Sequence, residues 1–560
     1  MVGLLEDLYM KYREPINLSK NNNIVNLGLY NPAINYIKLN DFVSQYFKFF
    51  YAPLTVNHLG RVKNLSFIEY SKEKVFKVEN SNHKLLLSTY GTFLHEVFHS
   101  WQFYGTSLGF MNIMSIATQG SLLGYLRELD GENLVKPLHQ QHRFNEPPEI
   151  THILNTFFDI EFGIALLFHP QKSEEIFKSP FFESTGHSYR YLYQEVLQLL
   201  NYTMKFKNRE FSYYEEWENE FRRLEERKEN LFFHGSPLLF NEFGAYEIIE
   251  GQARFQEIQY LYLMDNDFNW NMLKKAKMLE EPYNTVFEYF INYLNLQLPP
   301  NPVSKEVNLF LLVCEIALNP DIGYPNNIVN YQNFIKDINP YCRFIECLDV
   351  IKCNKDVINY VEEISFESFV YVSDFITNAL NNNSMRSYYR EIIKKSNSIE
   401  NIDELKRKYY KLDYTNENST NILVEYYYNN HINIVEKKYI YPEFFCWSGQ
   451  YMTGKFPRFS EEKITEIMED NSPPFISLDK DEIALYSAHQ SKSGYQKFAS
   501  YFFEFQTFND LARQLIMKPG AFTFNFLWNQ FKDEDKYKEY FREKFYMNTN
   551  RNFEDFMILK

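Results

Sequence analysis

The stretch Thr92-Phe93-Leu94-His95-Glu96-Val97-Phe98-His99-Ser100-Trp101 constrains this chain most tightly. It contains His-Glu-x-x-His, which makes chemical sense only on a helix. There His95 and His99, four positions apart, lie one above the other on a single face. That spacing lets two ring nitrogens reach one zinc ion at about 2.0–2.1 Å. Glu96 is rotated by roughly a hundred degrees from His95, so it flanks a metal without binding it. From that position a carboxylate can take a proton from a water and deliver it to a leaving amine. The flanking residues carry no charge, as a helix buried on most sides requires.

A 560-residue chain is longer than one average domain, and 45% apolar content marks it as globular. A formal charge of −15 argues against a general nucleic-acid binder, which has phosphates to neutralise. Glu6 and Asp7 stand where a secretory leader needs a basic start and an apolar run. No stretch reaches 18 apolar residues, so no membrane partner is expected. The nearest run, Phe110 to Leu126, is interrupted by Asn112 and Gln119. Five cysteines fit a reducing compartment, and the expected location is cytoplasmic. Cys342, Cys347 and Cys353 lack the two-residue gaps of a zinc knuckle and read as buried thiols.

The metal helix is predicted over about 89–104, with helices following near 110–129, 150–168, 189–206 and 213–230. Before it, the β-rich runs Leu65 to Tyr70 and Val75 to Glu79 read as a hairpin. A second informative helix is expected over about 245–262. It contains Glu250-Gly251-Gln252-Ala253, a carboxylate beside small residues that would permit close helix approach. Pro299, Pro300 and Pro302 break the chain before a helix from Val307 to Leu318. A soft domain boundary falls near 330. Residues 331–560 read as mostly helical: about 328–352, 355–382, 384–396, 494–517 and 533–546. One hairpin is expected near 422–441, turning at Asn429-Asn430-His431.

The His95-Glu96-Val97-Phe98-His99 motif resembles the active-site helix of the zincin superfamily of zinc metallopeptidases. Glu250 resembles the third ligand of gluzincins, whose ligand is a distant glutamate. The resemblance covers about ten contiguous residues and this one later segment. It implies an α+β, predominantly helical fold, with a zincin-like core in residues 1–330 and a small β-sheet beside the metal helix. It further implies Zn2+ bound by His95, His99 and Glu250, with Glu96 as general base and a peptide or protein as substrate. Glu247 and Glu257, one and two turns from Glu250, are alternative ligands. Gluzincins place an Asp four residues after the ligand glutamate. Arg254 stands there instead and is expected to pair with Glu250 or Glu247. Glu250 follows His99 by 151 positions, which calls for a helical insertion. Gln102 and Gly105 exclude the metzincin pattern. His234 is a secondary candidate for stabilising an oxyanion or ligating the metal, and Tyr246 for the former role. Two other readings stand beside the peptidase: a binding or regulatory protein that keeps the zincin-like fold, and a zinc hydrolase of non-peptide substrates.

Overall fold

The computed structural model describes residues 28–40, 43, 80–129, 134–140, 147–207, 210–211, 214–237, 239, 241–411, 419–478, 481–484, 492–524 and 534–559. The fold is α+β and predominantly helical. The chain enters through β1 (Gly28–Asn31) and β2 (Tyr36–Leu39), an antiparallel pair. Their link is a short helical turn closed by Asn35 at φ 44°, a left-handed conformation that asparagine tolerates. Far along the sequence, β4 (Phe475–Leu478) pairs in parallel with β2, and β5 (Asp481–Ala484) completes the order β1-β2-β4-β5. A separate parallel pair joins β3 (Leu134–Lys136) to β6 (Phe556–Ile558). The small sheet beside the metal helix is thus built from residues 28–39 and 475–484. The hairpin expected within 65–79 lies outside the described residues.

The central element is α1 (Asn80–Gly105), longer than its motif predicted. Leu94, Val97, Phe98, Trp101 and Tyr104 are buried on all its sides, as in a helix enclosed by other elements. It ends at Gly105, where a Cβ would stand 2.6 Å from Ile434 and 3.1 Å from the Lys438 side chain. Thr106 then caps α2 (Ser107–Ser121) by accepting from the Gly109 N–H. Next come α3 (Pro148–Phe168) and α4 (Thr185–Met204), packed on each other. Among the described residues α3 is the one helix long and apolar enough to cross a membrane, with mean hydropathy 1.3. It is mostly buried inside the protein, and it carries buried Asp159 and Glu161. Apolarity here reflects core position rather than lipid contact.

The second informative helix is α5 (Ala245–Met264), which packs along α1. Beyond it lie α6 (Lys305–Ala317), α7 (Met385–Ser396), α8 (Ser419–Ile440) and α9 (Lys492–Met517). The segments read as continuous helices over 328–352 and 355–382 are interrupted. Pro340 opens a new helix after a short one, and a 3-10 turn over Lys355–Val361 precedes Phe366–Ala379.

The hairpin expected near 422–441 is instead α8, one uninterrupted helix of 22 residues. Ile422, Leu423, Val424, Tyr426, Tyr427, Tyr428, Ile432, Ile434 and Val435 are buried around its circumference. β-Branched and aromatic residues lower helix propensity only slightly. In a core, a helix satisfies its own backbone groups, and packing outweighs that preference. The presumed turn residues sit mid-helix with partners: Asn429 donates to the Leu405 carbonyl, and His431 Nδ1 lies 2.6 Å from the Tyr104 carbonyl. Residues on both sides of 330 share the four-stranded sheet and one apolar core, with α8 packed on α1 and α2.

Candidate metal centre

The i, i+4 spacing on α1 turns both Nε2 atoms toward one point, 3.0 Å apart. From α5, Glu250 Oε2 approaches to 3.4 Å of each. All three residues are buried, at 4%, 6% and 9% exposure. Among the described residues, His95, His99 and Glu250 form the group that could hold a metal ion. Donors about 2.0–2.1 Å from a tetrahedral zinc stand roughly 3.3–3.4 Å apart. The three observed edges lie within a few tenths of an ångström of that, so the donor set fits such an ion.

The helices approach closely, but through a different small residue than expected. A Cβ on Gly91 of α1 would meet Leu261 at 3.1 Å and Glu257 at 3.3 Å. Gly251 instead faces the Tyr283 backbone and Phe310.

Each histidine faces an acceptor with its far nitrogen, the arrangement that fixes tautomer and ring angle in metal sites. His99 Nδ1 donates to Gln102 Oε1 at 2.9 Å. His95 Nδ1 lies 3.4 Å from Glu257 Oε2, close enough to tighten into a hydrogen bond. Glu257 also pairs with Arg254, whose guanidinium stacks 4.0 Å over the Tyr283 ring. The expected pairing of Arg254 with Glu250 or Glu247 is therefore corrected. From position 254 the guanidinium reaches forward one turn, and Glu250 is turned toward the imidazoles. Glu247, the other alternative ligand, accepts from the Gly244 N–H at 2.8 Å and from Gln171 at 2.7 Å. It serves as the cap of α5. Glu257 stands behind His95 rather than among the donors.

Electrostatics separate the carboxylates. Burial pushes Glu250 up, but its imidazole neighbours, His99 first and then His95, more than offset this, leaving it well below its ordinary range. Glu257 follows the same logic, with burial opposed by Arg254 and then His95. Among the described residues, Glu96 has no such hydrogen-bonding partner. Burial pushes its carboxyl up to about 8, only partly countered by His99 and reinforced by Glu250. A cation among the three donors would draw it back toward the charged form.

Glu96 lies against β1: a Cβ added to Gly28 would stand 2.6 Å from Glu96 Oε1 and 2.9 Å from Thr92. Two aromatic residues flank the histidines. The Tyr30 ring stacks 6.4 Å from His99, with its hydroxyl on Asn35. The Tyr283 ring meets His95 edge-on at 5.8 Å. Burial pushes the Tyr283 phenol up to about 12, eased by Arg254 and reinforced by Glu250 and Glu96. The secondary candidates stand elsewhere. His234 is at the surface, 3.8 Å from Glu183, and Tyr246 packs on His169. The cysteines are free; Cys314, Cys347 and Cys446 are buried, Cys342 half-buried and Cys353 exposed.

Sequence reasoning missed Gly28, Tyr30, Gln102 and Tyr283. Gln102 was detectable, being one turn beyond His99 on the same helix. The other three come from distant segments with no shared motif. Compared with known proteins, the chain matches no family model, no curated protein and no solved structure.

Proposed function

We propose that the chain is a zinc-dependent metallopeptidase of gluzincin-like type. The carrying observation is the buried triangle of His95 Nε2, His99 Nε2 and Glu250 Oε2, with Glu96 adjacent. When bound, zinc supplies Lewis acidity toward a carbonyl oxygen and toward water.

The chain's own residues do the rest. His95, His99 and Glu250 hold the ion, and Glu257 and Gln102 keep the imidazoles in the metal-binding tautomer. Glu96 takes the proton of the attacking water as that oxygen adds to the scissile carbonyl carbon. It then gives the proton to the departing nitrogen, so that the C–N bond breaks to an amine and a carboxylic acid, which loses its remaining proton to water. Burial raises the proton affinity of Glu96 and a cation among the three donors lowers it, so the charged form that accepts the proton is restored in the loaded site. Among the described residues, β1 is an edge strand and lies against Glu96, so an extended peptide can add to it beside the reacting groups.

The test is Glu96→Gln. Zinc content should stay at one per chain, while cleavage of a peptide library falls by roughly 10²–10⁴-fold. Undiminished cleavage with zinc retained removes Glu96 from the mechanism.

The depth of the donors favours one further reading, a closed structural metal in a binding protein. A hydroxamate inhibitor separates the two. An open site binds it and loses metal readily to a chelator, whereas a closed four-ligand site does neither.

A further inference from the structure

Behind His99 the hydrogen bonds do not stop at Gln102. Gln102 Nε2 donates to the Ile249 carbonyl at 2.9 Å and to Gln252 Oε1 at 2.8 Å. Gln252 Nε2 in turn donates to the Leu311 carbonyl and to Glu315 Oε2, both at 3.4 Å. The other oxygen, Glu315 Oε1, accepts from Lys438 Nζ at 2.7 Å, Tyr389 at 2.9 Å and Asn319 at 3.2 Å. The Lys438 and Glu315 side chains are 3% and 4% exposed. Gln102, Gln252 and Glu315 are equally enclosed.

The sense of this chain matters. Every amide turns its NH2 group away from the histidine and toward an acceptor. Each carbonyl oxygen therefore faces back, and Gln102 Oε1 demands a proton on His99 Nδ1. With a metal held between His99, His95 and Glu250, that leaves the Nε2 lone pair for the ion, and a neutral imidazole protonated at Nδ1 is the only tautomer that ligates there. A carboxylate at the far end can only accept, so it locks the direction. A buried carboxylate needs a cationic partner, and Lys438 of α8 is that partner. Gly105, at the end of the metal helix, leaves the room for its stem.

We propose that Glu315, held by Lys438, is a positioning residue for His99. It acts through Gln252 and Gln102, so the region beyond 330 sets the tautomer of a metal ligand. This rests on the reading of His95, His99 and Glu250 as a metal site.

The experiment measures zinc affinity of the full chain by competition with a chromophoric chelator. Imidazole nitrogen NMR of the zinc-loaded protein reports the His99 Nδ1 proton. Gln252→Leu cuts the relay while leaving both charges paired. The double variant Glu315→Leu/Lys438→Met removes the pair without stranding a charge, so it carries the test if Gln252→Leu does not fold. Arg513→Met/Glu161→Leu removes a comparably buried pair elsewhere. The relay variants should weaken zinc binding by about 10–100-fold and speed the solvent exchange of the His99 Nδ1 proton. The control should do neither. Wild-type protein that binds zinc, with relay variants that bind it as tightly, overturns the relay alone. Folded wild-type protein that takes up no zinc overturns the metal reading and the relay with it.

Discussion

Glu96 sits in an environment that changes its chemistry strongly from that in water. In the metal-free protein its carboxyl keeps a proton up to about pH 8, whereas an unfolded one releases it near 4.5. Between those values the native state binds more protons than the unfolded state. Stability of the metal-free protein should therefore fall as pH rises through that window. Glu96→Gln removes the titration, so thermal midpoints measured between about pH 5 and about pH 8 should vary less than in the wild type. Identical slopes would show that Glu96 ionises freely. Glu257 makes a separate prediction, because it engages His95 and Arg254 from outside the donor triangle. Glu257→Gln should weaken zinc binding by roughly 10–100-fold yet leave one zinc per chain at saturation. Loss of all binding would promote it to ligand. At this scale the two histidines and Glu96 were legible from spacing alone. Glu250 was singled out by the small residues beside it, with Glu247 and Glu257 as alternatives, since rotation about α5 decides which one meets the imidazoles.

At the scale of elements, α8 and β1 carry the sharpest tests. The hydrophobic run from Ile422 to Tyr428 has the composition of a strand, and Asn429-Asn430-His431 that of a turn. Periodicity cannot separate a fully buried helix from buried strands, because burial removes the polar face that reveals the period. Asn430→Pro distinguishes them. In the middle of α8 it should cost about 3 kcal/mol or more, read as a drop in the denaturation midpoint; in a hairpin turn it would be tolerated. For β1, Gly28→Val should leave zinc content intact but lower peptide turnover by at least about tenfold, as misplacement of a reacting group does. The new side chain would displace either Glu96 or the strand, since its Cβ alone would stand 2.6 Å from Glu96. Unchanged turnover would mean that β1 does not frame the reacting groups. The strand escaped sequence reading because four residues are too few to display alternation.

For the whole molecule, the important fact is that distant segments complete one another. β2 needs β4, and α1 is enclosed partly by α8. A fragment of residues 1–330 would leave a sheet interrupted and much of α1 facing water, at roughly 25 cal/mol per Å2 of apolar surface exposed. We expect that fragment to show no cooperative thermal transition by circular dichroism. A sharp transition near that of the full chain would establish an independent N-terminal unit. Spacing along a single helix is a local property, and so the amino-acid sequence by itself determined the His-Glu-x-x-His face and most of the helices. A proline or glycine at a helix end acts locally too, which is why those boundaries were readable. Which glutamate closes the triangle, which strand lies against Glu96, and whether residues 422–440 are helix or hairpin depend on contacts between segments far apart in the chain. Such contacts are set by burial and complementarity in three dimensions, and no local pattern records them, so only the tertiary structure decided them.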